Sequence, residues 1–278
     1  MVPFFSGTRP GHRVTHGRAT FELPILYFRD DLFAAFFSAS SERVRAMMPS
    51  PRLHPVTLPG GRAMVAIAAF RYLETSIGPY GEVAVVVPAV FGDRPPPPIL
   101  PGLLEARYPG FGAVVLHLPV TALVARDAGR GQWGYPKFVS DMHFTRSPET
   151  IGVRLSEGEK HILTLDVPRR GPVLRDDNPL ITFSVKDGAL IKTTIPQRGA
   201  CRTSLLPRGA TLALGDHEMT ASLRALRLSS KPFMTRVYVE RAGILPEGEV
   251  IERGVRPLDG VRGADREGTL TSDNLEGY

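Results

Sequence analysis

Ala128-Gly129-Arg130-Gly131-Gln132-Trp133-Gly134-Tyr135-Pro136-Lys137-Phe138 is the stretch on which the fold class turns. Gly129, Gly131 and Gly134 match G-x-G-x-x-G, the phosphate-cradling turn of a doubly wound α/β fold. That turn needs a strand before the glycines and an amphipathic helix opening on them. Here the order is reversed. Residues 120–128, with Pro119 suited to the first turn, read as a helix that Gly129 ends. Pro136 follows the last glycine by two residues, and residues 138–145 alternate like a strand. The glycines therefore do not mark a dinucleotide site.

Outward from this stretch the chain is rich in strands. Residues 64–70 and 83–87 are nearly all apolar, as expected of strands covered on both faces. Residues 113–118, 151–155, 161–167, 181–185, 190–194, 201–206, 211–214 and 233–239 read as further strands, and 21–28 as an edge strand. A helix is expected to start at Asp30 or Asp31, carry Leu32, Phe33, Phe36 and Phe37 on one face, and run through Val44, Met47 and Met48 to Pro49. A short one should follow Asp216-His217-Glu218, with Met219, Leu223 and Leu226 inward. The polar link 71–82 returns the chain as a hairpin or lines a cavity mouth. Residues 92–110, with Pro95-Pro96-Pro97-Pro98, read as a stiff loop. The pattern predicts a mainly β (α+β), barrel-like single domain of about a dozen short strands and three helices. Its bounds are 21–251, with a loose basic arm at 1–20 and a poorly ordered polar tail at 252–278.

Composition narrows the function classes. A chain of 278 residues with 42% hydrophobic and 22% charged content is that of an ordinary soluble globule. The net charge of +6 comes from 29 arginines against five lysines, scattered except for Arg9, Arg13 and Arg18. No basic stripe forms, which argues against a nucleic-acid partner. No apolar run approaches the ~18 residues of a membrane span, and the start of the chain has no signal-peptide pattern. The lone Cys201 allows no internal disulfide and fits a reducing, cytoplasmic setting; it reads as an inert buried thiol. His12 and His16 are four apart, but Gly11 and Gly17 bracket them and oppose the helix a shared metal would need. His117, within an apolar run, reads as a core histidine. No Walker loop, zinc spacing or G-x-S-x-G elbow occurs, so neither metal nor organic cofactor is expected.

Lys137 remains. The other four lysines sit beside Asp, Glu, Thr or Ser, whereas Lys137 is flanked by Tyr135, Pro136 and Phe138, with Trp133 close by. A lysine that attacks a carbonyl carbon must be neutral. At an unperturbed pKa of ~10.4 about one in 2,500 is neutral at pH 7, and bringing the pKa to ~7 takes roughly 4–5 kcal/mol. Desolvation or a neighbouring cation can supply this. Residue chemistry alone leaves two readings, a nucleophile and a surface lysine snorkelling past its aromatic neighbours, and favours the second.

The pattern Ala122-x6-Gly129-Arg130-x4-Tyr135-Pro136-Lys137 resembles the helix-then-lysine motif of the acetoacetate decarboxylase family. Tyr80-Gly81-Glu82 falls where that family has Tyr-x-Glu leading into a strand, and Gly215-Asp216-His217 with Leu223-Arg224-Ala225-Leu226 is similar to its C-terminal helix entry. Together these cover residues 20–245. The resemblance implies a cone of antiparallel strands, a homo-oligomer, a small keto acid as substrate, and Lys137 as the imine-forming residue with no cofactor. Glu82 would orient the substrate or shuttle protons. Tyr80, Glu74, Arg71, Trp133, Tyr135 and Phe138 would line the pocket. Phe138 stands where typical members carry a second lysine, so burial must activate Lys137. Gly131 replaces the acid after Gly-Arg. The second glutamate aligns near Ala66, with Glu74 as a stand-in, and the carboxylate-binding arginine near Thr20 or Phe21, with Arg18, Arg71 or Arg130 as replacements. The implied reaction is decarboxylation of acetoacetate or a related β-keto acid. The alternatives are aldol–dehydration chemistry on another keto acid and a catalytically silent small-molecule binder.

Overall fold

The computed structural model describes residues 3–258 and 260–273. Eighteen strands and four short helices lie in this part of the chain. The strands are β1 (His12–His16), β2 (Ala19–Leu23), β3 (Ile25–Ala39), β4 (Leu53–Pro55), β5 (Ala63–Thr75), β6 (Tyr80–Phe91), β7 (Phe111–His117), β8 (Asp141–Arg146), β9 (Thr150–Glu157) and β10 (Lys160–Pro168). They continue as β11 (Val173–Arg175), β12 (Leu180–Lys186), β13 (Ala189–Ile195), β14 (Gln197–Leu205), β15 (Thr211–Leu214), β16 (Met234–Leu245), β17 (Glu249–Arg253) and β18 (Leu270–Ser272). The helices are α1 (Ser41–Met47), α2 (Leu100–Leu103), α3 (Leu123–Ala128) and α4 (Glu218–Ala225).

The expected mainly β class holds. An 11-stranded sheet runs β11-β14-β16-β3-β5-β6-β7-β12-β13-β17, with β4 joined to β6. A five-stranded sheet runs β15-β10-β9-β8-β18, and β1 and β2 form a separate hairpin. The sheets are open rather than closed into a barrel. Pairings are antiparallel except β7 with β12 and β8 with β18.

Each residue along a strand faces opposite to the next, and this alternation divides the core. From the large sheet Phe33, Phe37, Val65, Ile67, Val83 and Val85 pack on the small sheet's Phe144, Leu155 and Leu163 and on Met219 and Leu223 of α4. The other face carries Tyr27, Phe70, Tyr72 and Tyr80, covered by Phe21, Ala125, Ala128, Trp133 and Tyr135. The candidate site belongs to this second cluster.

Three expectations are corrected. Residues 30–39 are not helical; they lie in the 15-residue β3 at the centre of the large sheet. A strand apolar on both faces has no period to separate it from a buried helix. Asp30 and Asp31 are mid-strand at a register shift, and helix begins only at Ser41. The basic arm contains β1, paired along its length with β2. The described part of the polar tail is held in place: Val261 is buried, Gly268 N–H donates to Thr121 O at 2.7 Å, and β18 joins β8. Residues 274–278 of that expected tail lie outside the described residues. The proline-rich loop holds only single turns at α2 and Glu105–Arg107. Among the described residues no helix is long and apolar enough to cross a membrane.

Candidate active site

Lys137 and Glu82 come from separate elements, and a third joins them. Val83 N–H donates to Pro119 O at 3.0 Å, while Leu118 N–H donates to Pro136 O and Val120 N–H to Phe138 O at 3.1 and 2.8 Å. The extended segment 118–120 therefore lies between the Glu82 strand and the lysine stretch. Arg130 clamps the other side, donating to the carbonyls of Lys137, Val261 and Arg262. The glycines ahead of the lysine have steric reasons. After α3 the chain widens into a π-helical turn, Gly129–Trp133. A Cβ on Gly129 would lie 2.5 Å from Lys137 Cδ and Cε, so glycine lets the side chain pass. Gly134 has φ +66°, a conformation glycine adopts freely.

Lys137 Nζ donates to Glu82 Oε2 at 2.6 Å, with side-chain exposures of only 6% and 8%. Tyr72 OH donates to Glu82 Oε1 at 3.1 Å. The Lys137 ammonium lies 5.6 Å from the centroid of the Tyr80 ring. Lys137 opens on a narrow cavity lined also by Ile25, Tyr27, Ile77, Tyr80, Ala125, Ala128, Gly129, Trp133, Tyr135 and Leu245, among which it is the only charged residue. The cavity volume is about 10 Å³, room for about one water. A keto acid therefore requires a wall residue to move outward. Ile77 sits in the turn between β5 and β6, a turn that Gly78 makes with φ +92°.

The cavity phenols are held firmly. Tyr72 packs between Tyr27 and Tyr80, its ring tilted against each, with centroids 4.5 and 4.6 Å away. Tyr27 and Tyr80 hydroxyls are 3.0 Å apart, and Tyr135 OH lies 2.7 Å from Thr182 Oγ1. Burial pushes Tyr27, Tyr72 and Tyr80 well above the usual phenol range and Tyr135 up to about 12, so all four stay protonated. Trp133 Nε1–H donates to Pro246 O at 2.9 Å.

Of the eight residues expected at the site, Lys137, Glu82, Tyr80, Trp133 and Tyr135 come together, and three do not. Phe138 is fully buried on the other face, stacked on His217 at 6.0 Å; it follows Lys137 directly and points the opposite way. Arg71 pairs across β6 with Gly81, whereas Phe70 pairs with Glu82, so the pleat turns Arg71 away and it meets Asp31 at 3.7 Å. Glu74 is exposed near the end of β5 and is no stand-in for a second glutamate. Arg18 is on the surface with Asp265. No arginine lines the cavity.

Sequence reasoning missed Tyr27 and Tyr72, and also a buried pair behind Phe70. Arg241 Nη1 donates to Asp30 Oδ2 at 2.6 Å, its Nε donates to Gln197 Oε1 at 2.9 Å, and its guanidinium lies 5.4 Å from the Phe70 ring centroid. Burial pushes Asp30 up to about 6, against the pull of Arg241. Elsewhere, His12 bonds Glu247 and His16 bonds Gln132, and no metal-binding cluster occurs among the described residues. Burial raises the Cys201 thiol, keeping it inert.

A sheet that buries a lysine amine against a carboxylate, beside a cavity otherwise free of charge, defines a lysine-centred small-molecule site of the kind that can hold an imine. The acetoacetate decarboxylase family model matches residues 13–239, more than half of the chain, and the chain belongs to that family. Its fold resembles the crystal structure of acetoacetate decarboxylase from Legionella pneumophila (TM-score 0.62, 17% identity, covering 89% of this chain and 94% of that one). It also resembles the enduracididine biosynthesis enzyme MppR complexed with pyruvate (0.60, 15%, 86% and 92%). An acetoacetate decarboxylase-like enzyme from Sphingomonas wittichii RW1 is similar as well (0.58, 13%, 82% and 93%). At these identities the likeness is one of fold. A comparison with curated proteins returned no significant match.

Proposed function

We propose that the protein is a Schiff-base lyase that decarboxylates a small β-keto acid through Lys137. The observation that carries this reading is the Lys137–Glu82 contact of 2.6 Å beside a narrow cavity with no other charged wall. In the resting pair Glu82 takes one proton from the ammonium, and the freed amine adds to the ketone carbon. A second proton passes from the added nitrogen to the carbonyl oxygen, which leaves as water with the one that Glu82 returns, giving a protonated imine that keeps the original charge opposite Glu82. The substrate carboxylate then has no cation of its own. Burying an uncompensated carboxylate is costly, and its loss as carbon dioxide relieves that cost as the C–C bonding pair moves toward the imine nitrogen. Protonation of the resulting enamine carbon and hydrolysis by water return the amine.

MppR has also been crystallised with the condensation product of pyruvate and imidazole 4-carboxaldehyde, which is aldol-type chemistry. Such a reaction wants a further acid–base group at the second carbonyl, and beyond the Glu82 held on Lys137 no carboxylate lies at this cavity; that supports decarboxylation here. Borohydride reduction in the presence of acetoacetate, with peptide mapping and carbon dioxide measurement, tests the reading. An adduct on Lys137 with release of carbon dioxide is expected, and Lys137→Ala should abolish both. No adduct with any keto acid would sink the reading, and an adduct without carbon dioxide would transfer it to the aldol type.

A further inference from the structure

We propose that Tyr27 and Tyr80 are catalytic residues that together present one free phenolic proton to the substrate's carbonyl oxygen while Lys137 adds to the carbonyl carbon. The inference rests on the Schiff-base reading and names the groups that handle the oxygen, which Lys137 and Glu82 alone leave unassigned.

The argument is a count of protons. Both tyrosines line the cavity into which the Lys137 amine opens. Their hydroxyls are 3.0 Å apart and form one hydrogen bond with each other. Two phenols carry two protons and one shared bond uses one. No other hydrogen bond of either hydroxyl occurs among the described residues, so one donor is left over, whichever way the pair is oriented. Among the other polar groups near the cavity, Tyr72 gives its proton to Glu82 and Trp133 donates to Pro246 O, while Tyr135 shares one bond with Thr182 in which either hydroxyl can be the donor. The spare donor is also rigid, because both rings pack on Tyr72 at 4.5 and 4.6 Å. A fixed donor in a dry site is most effective where negative charge develops.

When the amine adds, the C–N bond forms and the carbonyl π pair moves onto oxygen. The free phenol hydrogen-bonds that oxygen and keeps its own proton. The added nitrogen passes a second proton to the oxygen, and Glu82, carrying the proton taken from Lys137, delivers its own as the C–O bond breaks and water leaves. The sum is ammonium plus ketone giving protonated imine plus water, with Glu82 and both phenols unchanged.

The pair makes an unusual prediction for single and double variants. In Tyr27→Phe the remaining Tyr80 still has a free proton, and in Tyr80→Phe so does Tyr27. Each single variant should trap substrate only a few-fold more slowly, whereas the double variant loses the donor and should fall about 10²-fold. Borohydride-trapping rates with acetoacetate measure this, and thermal melting checks folding. Arylation of Lys137 by fluorodinitrobenzene, which involves no carbonyl oxygen, should proceed at the wild-type rate in all three. A double variant that traps as fast as wild type overturns the proposal, as does one whose arylation slows in step with trapping, since the phenols would then only hold the lysine in place. If the double variant does not fold, a 10²-fold loss in either single variant overturns the shared-proton argument. Wild-type protein that forms no adduct overturns the Schiff-base reading itself, an outcome distinct from the others.

Discussion

Replacing Gly129 with alanine should separate activity from stability. Gly129 is helical, with φ −64° and ψ −44°, so alanine suits the backbone and is favoured there by about 1 kcal/mol. The added Cβ would sit 2.5 Å from Lys137 Cδ and Cε, against 3.4 Å for ordinary contact, and the lysine must retreat by about 0.9 Å. That movement is cheap for a flexible side chain but not for its contact. If carried to the amine, it lengthens the 2.6 Å bond to Glu82 to about 3.5 Å, beyond useful hydrogen-bond distance. A misplacement of about 1 Å costs on the order of 10²-fold in rate. Gly129→Ala should therefore melt within a few degrees of wild type while borohydride trapping and carbon dioxide release fall about 100-fold. A variant that stays folded and traps at the wild-type rate would show that the geometry of this pair does not govern the chemistry.

Glu82→Gln leaves the Lys137 ammonium buried without its carboxylate, which should cost about 3–5 kcal/mol of stability and slow trapping by about 10²–10⁴-fold; denaturant titration and trapping rates measure the two. Ile77→Ala widens the cavity at its turn and should shift relative kcat/KM toward longer keto acids by about tenfold, read from a substrate series. His117 is pushed down to about 4, first by burial and then by His217. Its folded value lies below the unfolded 6.5, so the neutral form is favoured on folding. The stability this represents is complete above 6.5 and is lost as pH falls toward 4, by about 3 kcal/mol. Melting temperatures across that window should drop, and His117→Gln should lack this component.

Part of the site could be read from local patterns. Tyr80-Gly81-Glu82 and Tyr135-Pro136-Lys137 each sit within three residues, and the misfit of strand, glycine and helix order dismissed the dinucleotide reading. Tyr72 was also within reach. Folding the link 71–82 as a hairpin about Ser76 puts Tyr72 opposite Tyr80 and Phe70 opposite Glu82, as the register has it, and turns Arg71 away. The same alternation sends Phe138 to the opposite face from Lys137. Tyr27 and the Asp30–Arg241 pair carried no such signal. They meet through pairing of β16 with β3, more than 200 residues apart in sequence, and Asp30 stood at the start of an expected helix while Tyr27 lay in an expected edge strand. The polar tail misled for a related reason. Its hold on the site is through main-chain carbonyls that Arg130 grips, and composition says nothing about those.

The extended segment 118–120 contributes no acid, base or nucleophile, yet it sets the spacing between the two groups that matter. Its ladder bonds run through peptide N–H and C=O groups on both sides, so the separation of Glu82 from Lys137 is written in the main chain. Side chains there can drift freely over evolution, provided they remain apolar and small enough to pack, without altering that distance. A proline at 118 or 120 is different, because it deletes a donor from the ruler. Any redesign that aims to retune the lysine should therefore keep this strand's backbone bonds and vary the cavity wall.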